Sequence, residues 1–298
     1  MKSWNRLRVR RSAEVSIAEL PRPVGYVLGG GGSLGAVQIG MLRALGEHDV
    51  APDIVTGTSV GSLNGAVIAL DPGRAVDRLV QTWARMTRDR VFPGGLLAQA
   101  RTLQHTRTHL FPSTGLATVI AGFIGPETTF ADLRLPFAAM ATDIDTARPH
   151  VLSEGLVLPA LLASAAIPGI FPPVQLGALR LYDGGLVANV PMRQALAMGA
   201  RSLVVLDCNF PGNTLAAPAT IAEVLLYTVT VTMRTQAIFE APLAAAEVPV
   251  VYLHGPEPHP ISPLDFRQTG TLSEAAYQAA RSFLDDLRIT GPGLYGSP

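Results

Sequence analysis

One segment constrains this chain more than any other: Asp53-Ile-Val-Thr-Gly57-Thr-Ser59-Val-Gly61-Ser62. An apolar run enters Gly57-x-Ser59-x-Gly61, and Leu63 through Leu70, rich in small residues, leaves it with the composition of a helix. A strand that turns sharply into a helix holds a serine hydroxyl at a strained tip, and flanking glycines remove the steric clash. Ser59 is therefore a candidate nucleophile, with Gly57 and Gly61 as its supports. The same pattern also occurs in ordinary tight turns. What the rest of the chain supplies has to decide between the two.

Upstream, Val24 to Leu28 reads as a short buried strand. It enters the loop Gly29-Gly30-Gly31-Gly32-Ser33-Leu34-Gly35, and Ala36 to Leu45 follows as a helix. A glycine loop before a helix start leaves backbone N–H groups pointing at whatever sits there, and the helix dipole favours negative charge at that place. A phosphate fits such a site, and so does the oxyanion of a tetrahedral acyl intermediate.

The spacing Gly30-x-Gly32-x-x-Gly35 is also that of a dinucleotide-binding loop. That reading wants an acidic residue at the end of the next strand to hold a ribose. Asp53 opens its apolar run instead of ending it, and Thr56, Gly57, Thr58 and Ser59 stand at the end with no carboxylate. A nucleotide site remains the weaker alternative.

A serine nucleophile needs a proton acceptor. Downstream, Leu179-Arg-Leu-Tyr-Asp183-Gly184-Gly185 reads as a short strand ending in a carboxylate, then two glycines, with Asn189 and Pro191 beyond. In isolation this is a plain Asp-Gly turn. The six histidines, His48, His105, His109, His150, His254 and His259, lie in no segment resembling a catalytic loop. A carboxylate serves as base if burial raises its pKa, which makes Asp183 the candidate. The rival is a Ser-Asp-His triad using His254, which follows the apolar run Val248 to Leu253.

Taken in order, four blocks resemble the patatin-like phospholipase family, lipid acyl hydrolases that use a serine–aspartate dyad. They are the glycine loop Gly30 to Gly35, the block Gly57 to Ala66, the proline-rich Ala163 to Val174, and Asp183-Gly184-Gly185 with Asn189 and Pro191. The resemblance runs from about Gly25 to about Leu206. It implies a three-layer α/β/α fold with a mainly parallel central sheet. It also implies that Ser59 attacks an ester carbonyl, that Asp183 takes its proton, and that an acyl-enzyme forms. The N–H groups of Gly30, Gly31, Gly32 and Val60 then form the oxyanion hole, with Gly35, Gly57, Gly61, Gly184 and Gly185 as motif supports. The substrate implied is a lipid or other fatty acyl ester, cleaved by phospholipase A-type or carboxylesterase chemistry. One departure stands out: Leu34 occupies a position where the family usually has a basic residue. It removes a charge beside the site and opens a second reading, a catalytically weak relative that binds lipid.

Composition sets the remaining limits. With 48% apolar and 15% charged residues in 298, the chain has enough core to cover both faces of a parallel sheet. The charges balance at 23 basic and 23 acidic residues, so no global field attracts nucleic acid. No dense acidic loop of calcium-binding spacing occurs, and neither a metal nor a cofactor is expected. The single cysteine, Cys208, ends an apolar run and is expected to be a buried, inert thiol.

Residues 1–23 begin with a basic stretch and are expected to be a flexible leader, with 24–298 forming one hydrolase domain. Within it, core motifs span 25–206 and a helical extension 215–298. No apolar run approaches the ~20 residues of a membrane span, and the N-terminus lacks a signal-peptide core. A cytoplasmic location follows as the expectation. A peripheral membrane contact is suggested by Arg74, Arg78, Arg85, Arg88, Arg90, Arg101 and Arg107, which face only Asp77 and Asp89 in that stretch. The bland account of the same residues is a solvated helical face.

Overall fold

The computed structural model describes residues 14–210, 217, 221–256 and 265–298. The basic stretch within 1–13 and His259 lie outside them. Among the described residues nine strands form one sheet: β1 (Val24–Leu28), β2 (Ile54–Thr58), β3 (Phe137–Asp143), β4 (Arg148–Leu152), β5 (Val174–Leu176), β6 (Leu179–Asp183), β7 (Ser202–Leu206), β8 (Pro249–Leu253) and β9 (Gly293–Gly296). The order is β5-β6-β3-β2-β1-β7-β8-β9, with β4 pairing β3. Strands β3-β2-β1-β7-β8-β9 run parallel; β4 and β6 run antiparallel to β3, and β5 antiparallel to β6. The sheet is mainly parallel, as expected.

Helices connect the strands: α1 (Val37–Glu47), α2 (Val60–Leu70), α3 (Ala75–Arg85), α4 (Arg88–Val91), α5 (Leu96–Thr106), α6 (Thr114–Ile124), α7 (Val157–Ser164), α8 (Gly185–Ala188), α9 (Met192–Ala197), α10 (Ile221–Ala245) and α11 (Thr269–Asp286). Strand side chains alternate between faces, and the core divides accordingly. Tyr26, Leu28, Val55, Val204, Leu206, Val251 and Leu253 join one apolar cluster with α1, α2 and α11. Val27, Ile54, Leu203, Val205, Val250 and Tyr252 join the other with α9 and α10. This is the three-layer α/β/α arrangement. Gly40 in α1 lets α11 approach closely, since a Cβ there would lie 2.0 Å from the Ser273 carbonyl oxygen.

Two expected boundaries shift. Val15 pairs with Ile289, and Ile17 and Leu20 are buried, so the packed chain begins ahead of residue 24. The C-terminal part is more than a helical extension, because β8 and β9 complete one side of the sheet. Burial of Ile17 and Leu20 ties this segment to the core.

The pairing of β3 positions the site. Strand β4 pairs with Ala139 to Asp143 and β6 with Ala141 to Asp143, so they occupy opposite edges of β3. Strand β2 pairs with Phe137 to Met140, overlapping β4, and therefore shares its edge with β6. The two strands meet end to end along that edge. Thr58, the last residue of β2, lies opposite Met140, and Asp183, the last of β6, lies opposite Ala141.

Candidate active site

Ser59 follows β2 with φ 53° and ψ −126°, in left-handed space that an L-residue rarely adopts. The turn is held from several sides. Ser59 N–H donates to Ser164 Oγ at 3.0 Å, and Ser62 Oγ donates to the Ser59 carbonyl at 2.7 Å. The flanking glycines are sterically required: a Cβ at Gly57 would lie 2.4 Å from the Gly61 carbonyl oxygen, and one at Gly61 2.3 Å from that of Leu28. Ser59 is buried but retains 5% exposure.

Asp183 is fully buried. Its Oδ1 accepts the Gly185 N–H at 2.8 Å, and its Oδ2 has no hydrogen-bond partner of good geometry. Burial pushes its pKa up to about 6, opposed by the Gly185 N–H and the nearby Ser59 hydroxyl. A carboxylate with one fixed oxygen and one open oxygen beside a serine is arranged to take a proton. A Cβ at Gly184 would lie 2.4 Å from the Met140 carbonyl oxygen, so that glycine lets the aspartate turn press against β3.

The glycine loop supplies donors, with one correction. The Gly30 N–H donates to the Asn189 carbonyl at 3.2 Å, which removes it from the expected oxyanion set. Gly30 acts through its missing side chain instead, since a Cβ would lie 2.6 Å from Asn189 Oδ1 and 3.2 Å from Ser59 Cβ. The N–H groups of Gly31, Gly32 and Val60 make no backbone hydrogen bond among the described residues. Val60 opens α2, where the helix dipole adds positive character. A Cβ at Gly31 would lie 2.5 Å from Cys208 Cβ, and one at Gly35 2.5 Å from Val60 Cγ2.

Several supporting residues are not singled out individually in the sequence. Ser164 ties both halves together, because its Oγ holds Ser59 N–H and its carbonyl accepts the Gly184 N–H at 3.4 Å. Gln236 on α10 clamps the aspartate loop: its Nε2 donates to the Gly185 and Leu186 carbonyls, and its Oε1 accepts the Asn189 N–H at 2.8 Å. Gln38 donates to the Gly29 and Leu206 carbonyls and accepts from Asn64, which in turn accepts from Trp83 Nε1 at 2.9 Å. The buried amide of Asn189 lies beside Gly30 and Gly185 with neither of its polar atoms hydrogen-bonded.

Other residues weighed from the sequence fall elsewhere. Among the described residues no histidine bonds Ser59 or Asp183; His254 Nδ1 contacts the Gly255 carbonyl and its ring packs edge-on against Phe210. Asp53 sits at the start of β2, away from the glycine loop, and is held by the Val24 N–H and Arg22. It cannot serve a ribose at that loop. Cys208 is buried and free, with burial raising its thiol well above the usual range. Leu34 packs against the core. No metal-binding cluster occurs among the described residues, and no helix among them is long and apolar enough to cross a membrane.

Comparison with known proteins completes the picture. The family model "Patatin-like phospholipase" matches residues 26–196, more than half of the chain. Patatin-like phospholipase domain-containing protein 7 of Mus musculus is 34% identical over 191 residues, 62% of this chain and 13% of that protein. Lysophospholipase NTE1 of Mycosarcoma maydis is 34% identical over 193 residues, 62% of this chain and 10% of that protein. The chain thus spans only a small part of the length of these relatives. The crystal structure of VipD from Legionella pneumophila aligns with 97% of this chain and 72% of its own, at a TM-score of 0.49 and 14% identity. With all four sequence blocks inside or overlapping the matched region, the chain belongs to the patatin-like phospholipase family.

Proposed function

We propose that this protein is a lipid acyl hydrolase, of phospholipase A or carboxylesterase type, working through Ser59 and Asp183 alone. The observation that carries the reading is the meeting of β2 and β6 on one edge of β3, which brings the strained serine to a buried carboxylate with an open oxygen. The names of the relatives, phospholipase and lysophospholipase, support a lipid ester as substrate.

In the reaction Ser59 Oγ attacks the ester carbonyl as its proton passes to Asp183 Oδ2. The carbonyl oxygen becomes an oxyanion held by the N–H groups of Gly31, Gly32 and Val60. The C–O bond to the alcohol breaks, and Asp183 returns the proton to the departing alkoxide. A water then gives its proton to Asp183 and attacks the acyl-serine; on collapse the C–Oγ bond breaks, Asp183 returns the proton to Ser59 Oγ, and the fatty acid leaves. A base pKa near 6 leaves Asp183 ionised at neutral pH yet basic enough to accept the proton. The open oxyanion donors are backbone groups, so Leu34 in the loop bears on the charge of the substrate and not on the donors.

Turnover of a soluble fatty acyl ester by the wild type, Ser59→Ala and Asp183→Asn tests the reading. Both variants should lose about 10²–10⁴ in rate while keeping the native circular dichroism spectrum. A fully active Ser59→Ala would remove Ser59 as the nucleophile. Inactivity of the wild type across a series of acyl lengths would favour a lipid-binding relative.

A further inference from the structure

The molecule is neutral overall, but its positive charge is unevenly placed, and one cleft collects it. Between α3 and α6 lies a cavity of about 510 Å³, lined by Arg78, Arg85 and Arg90 together with Phe123 and the bare backbone at Gly115 and Gly122. It shares no lining residue with the serine site. Among the described residues no carboxylate lines it. Asp71, 3.8 Å from Arg78, is also held at 3.1 Å by Arg134, outside the cleft.

Two of the three guanidiniums, those of Arg78 and Arg90, are held and not merely clustered. Arg78 Nη2 donates to the Phe123 carbonyl at 2.9 Å near the end of α6. Arg90 Nη1 donates to the Arg85 carbonyl at 3.2 Å at the end of α3. Each guanidinium has five N–H donors in a rigid fork, so one carbonyl contact fixes the group and leaves most donors for a ligand. On the far wall the two glycines differ in meaning. A Cβ at Gly115 would lie 2.5 Å from the Arg90 carbonyl oxygen, so this glycine lets Arg90 close on α6. A Cβ at Gly122 would meet nothing within 4 Å. No packing reason requires that glycine, although it is the least favourable residue after proline in a helix interior. What it leaves is open space facing the arginines.

We infer that this cleft is a binding site for a phosphate-type anion, either a phosphate monoester or a phospholipid headgroup, separate from the ester site. Three arginines without a lining carboxylate match the several acceptor oxygens and multiple charge of a phosphate. The inference does not depend on catalysis by Ser59. It does bear on it through α3, whose opposite face carries Trp83 against Gly35 and Asn64 beneath the glycine loop.

Calorimetric titration with inorganic phosphate at low ionic strength, with chloride at matched ionic strength as control, provides the test. The wild type should bind phosphate at one site, and Arg85→Gln with Arg90→Gln should weaken it by about ten- to a hundredfold. Gly122→Glu is a second variant that keeps the fold, because it fills open space and improves helix propensity; it should abolish binding while raising the melting temperature. A parallel arm uses flotation with phosphatidylcholine vesicles containing phosphatidic acid. Binding to vesicles that both variants lose, with weak binding of free phosphate, assigns a lipid headgroup. Binding of free phosphate without vesicle binding assigns a soluble phosphate. If neither ligand distinguishes the wild type from Gly122→Glu and the double variant, the site does not exist.

Discussion

Replacing Asp183 by Asn removes a buried charge while preserving the shape of the side chain, so its effect on stability has a definite sign. Burial raises the pKa of Asp183 from 3.8 to about 6. The folded state therefore holds the proton more tightly than the unfolded chain does. Its stabilising effect is complete below about pH 4 and is lost as pH rises through about 6. A shift of about two units corresponds to roughly 3 kcal/mol, which the native protein gives up at pH 7.5 to keep an ionised base. The amide that replaces the carboxylate does not titrate, and its oxygen can still accept the Gly185 N–H. Asp183→Asn should accordingly be more stable than the wild type by about 3 kcal/mol at pH 7.5, shrinking toward zero near pH 4. Urea unfolding of both proteins at several pH values between 4 and 8 measures the difference directly, since every other titrating group cancels. A variant less stable at pH 7.5, or a difference that does not change with pH, would refute the account of Asp183 as a base kept in place against its desolvation.

Ser59→Gly should be about 1 kcal/mol more stable than Ser59→Ala, because only glycine relieves the left-handed backbone; thermal unfolding in the opposite order would contradict the strain. Gly61→Ala should cost about 3 kcal/mol, the upper end for overpacking, since its Cβ meets the Leu28 carbonyl oxygen. Gly46→Ala in α1, with nothing within 4 Å of the added Cβ, should be neutral or stabilising by up to about 1 kcal/mol. Equal denaturant midpoints for Gly61→Ala and Gly46→Ala would show that the close approach at Gly61 is overstated. Ester turnover should fall about tenfold per pH unit below about pH 6 as Asp183 takes up its proton, and His254→Ala should leave both rate and pH profile unchanged. A rate lost with His254 would return the site to a serine–histidine mechanism.

Much of this architecture is legible in the chain. Strands β1, β2, β3, β7 and β8 are buried runs of apolar or small residues, and a parallel sheet covered on both faces requires such runs. Strand β6 shows the alternation of a partly exposed strand. Strands β5 and β9 escape notice for a physical reason: they are three and four residues long and incompletely buried, and β9 is bounded by glycines at both ends. They acquire strand conformation from partners, not from their own composition. Ser59, Asp183 and their glycines are readable because close backbone approach demands glycine at fixed spacing from the candidate residue. The error over Gly30 has a different origin. Whether an N–H is open depends on what faces it, and the Asn189 carbonyl arrives from a distant part of the chain. The role of Ser164, although it lies in the Ala163 to Val174 block, and Gln236 itself are hidden for the same reason, since nothing local shows which side chain bonds a loop brought near only by the fold.

The central claim is that Ser59 is acylated with Asp183 as its base. Mass-spectrometric mapping of the protein after timed exposure to a fluorophosphonate probes both residues at once. The account predicts a single adduct on Ser59, formed about 10²–10⁴ times more slowly in Asp183→Asn. An adduct on another residue, or equal labelling rates in the two proteins, would contradict it.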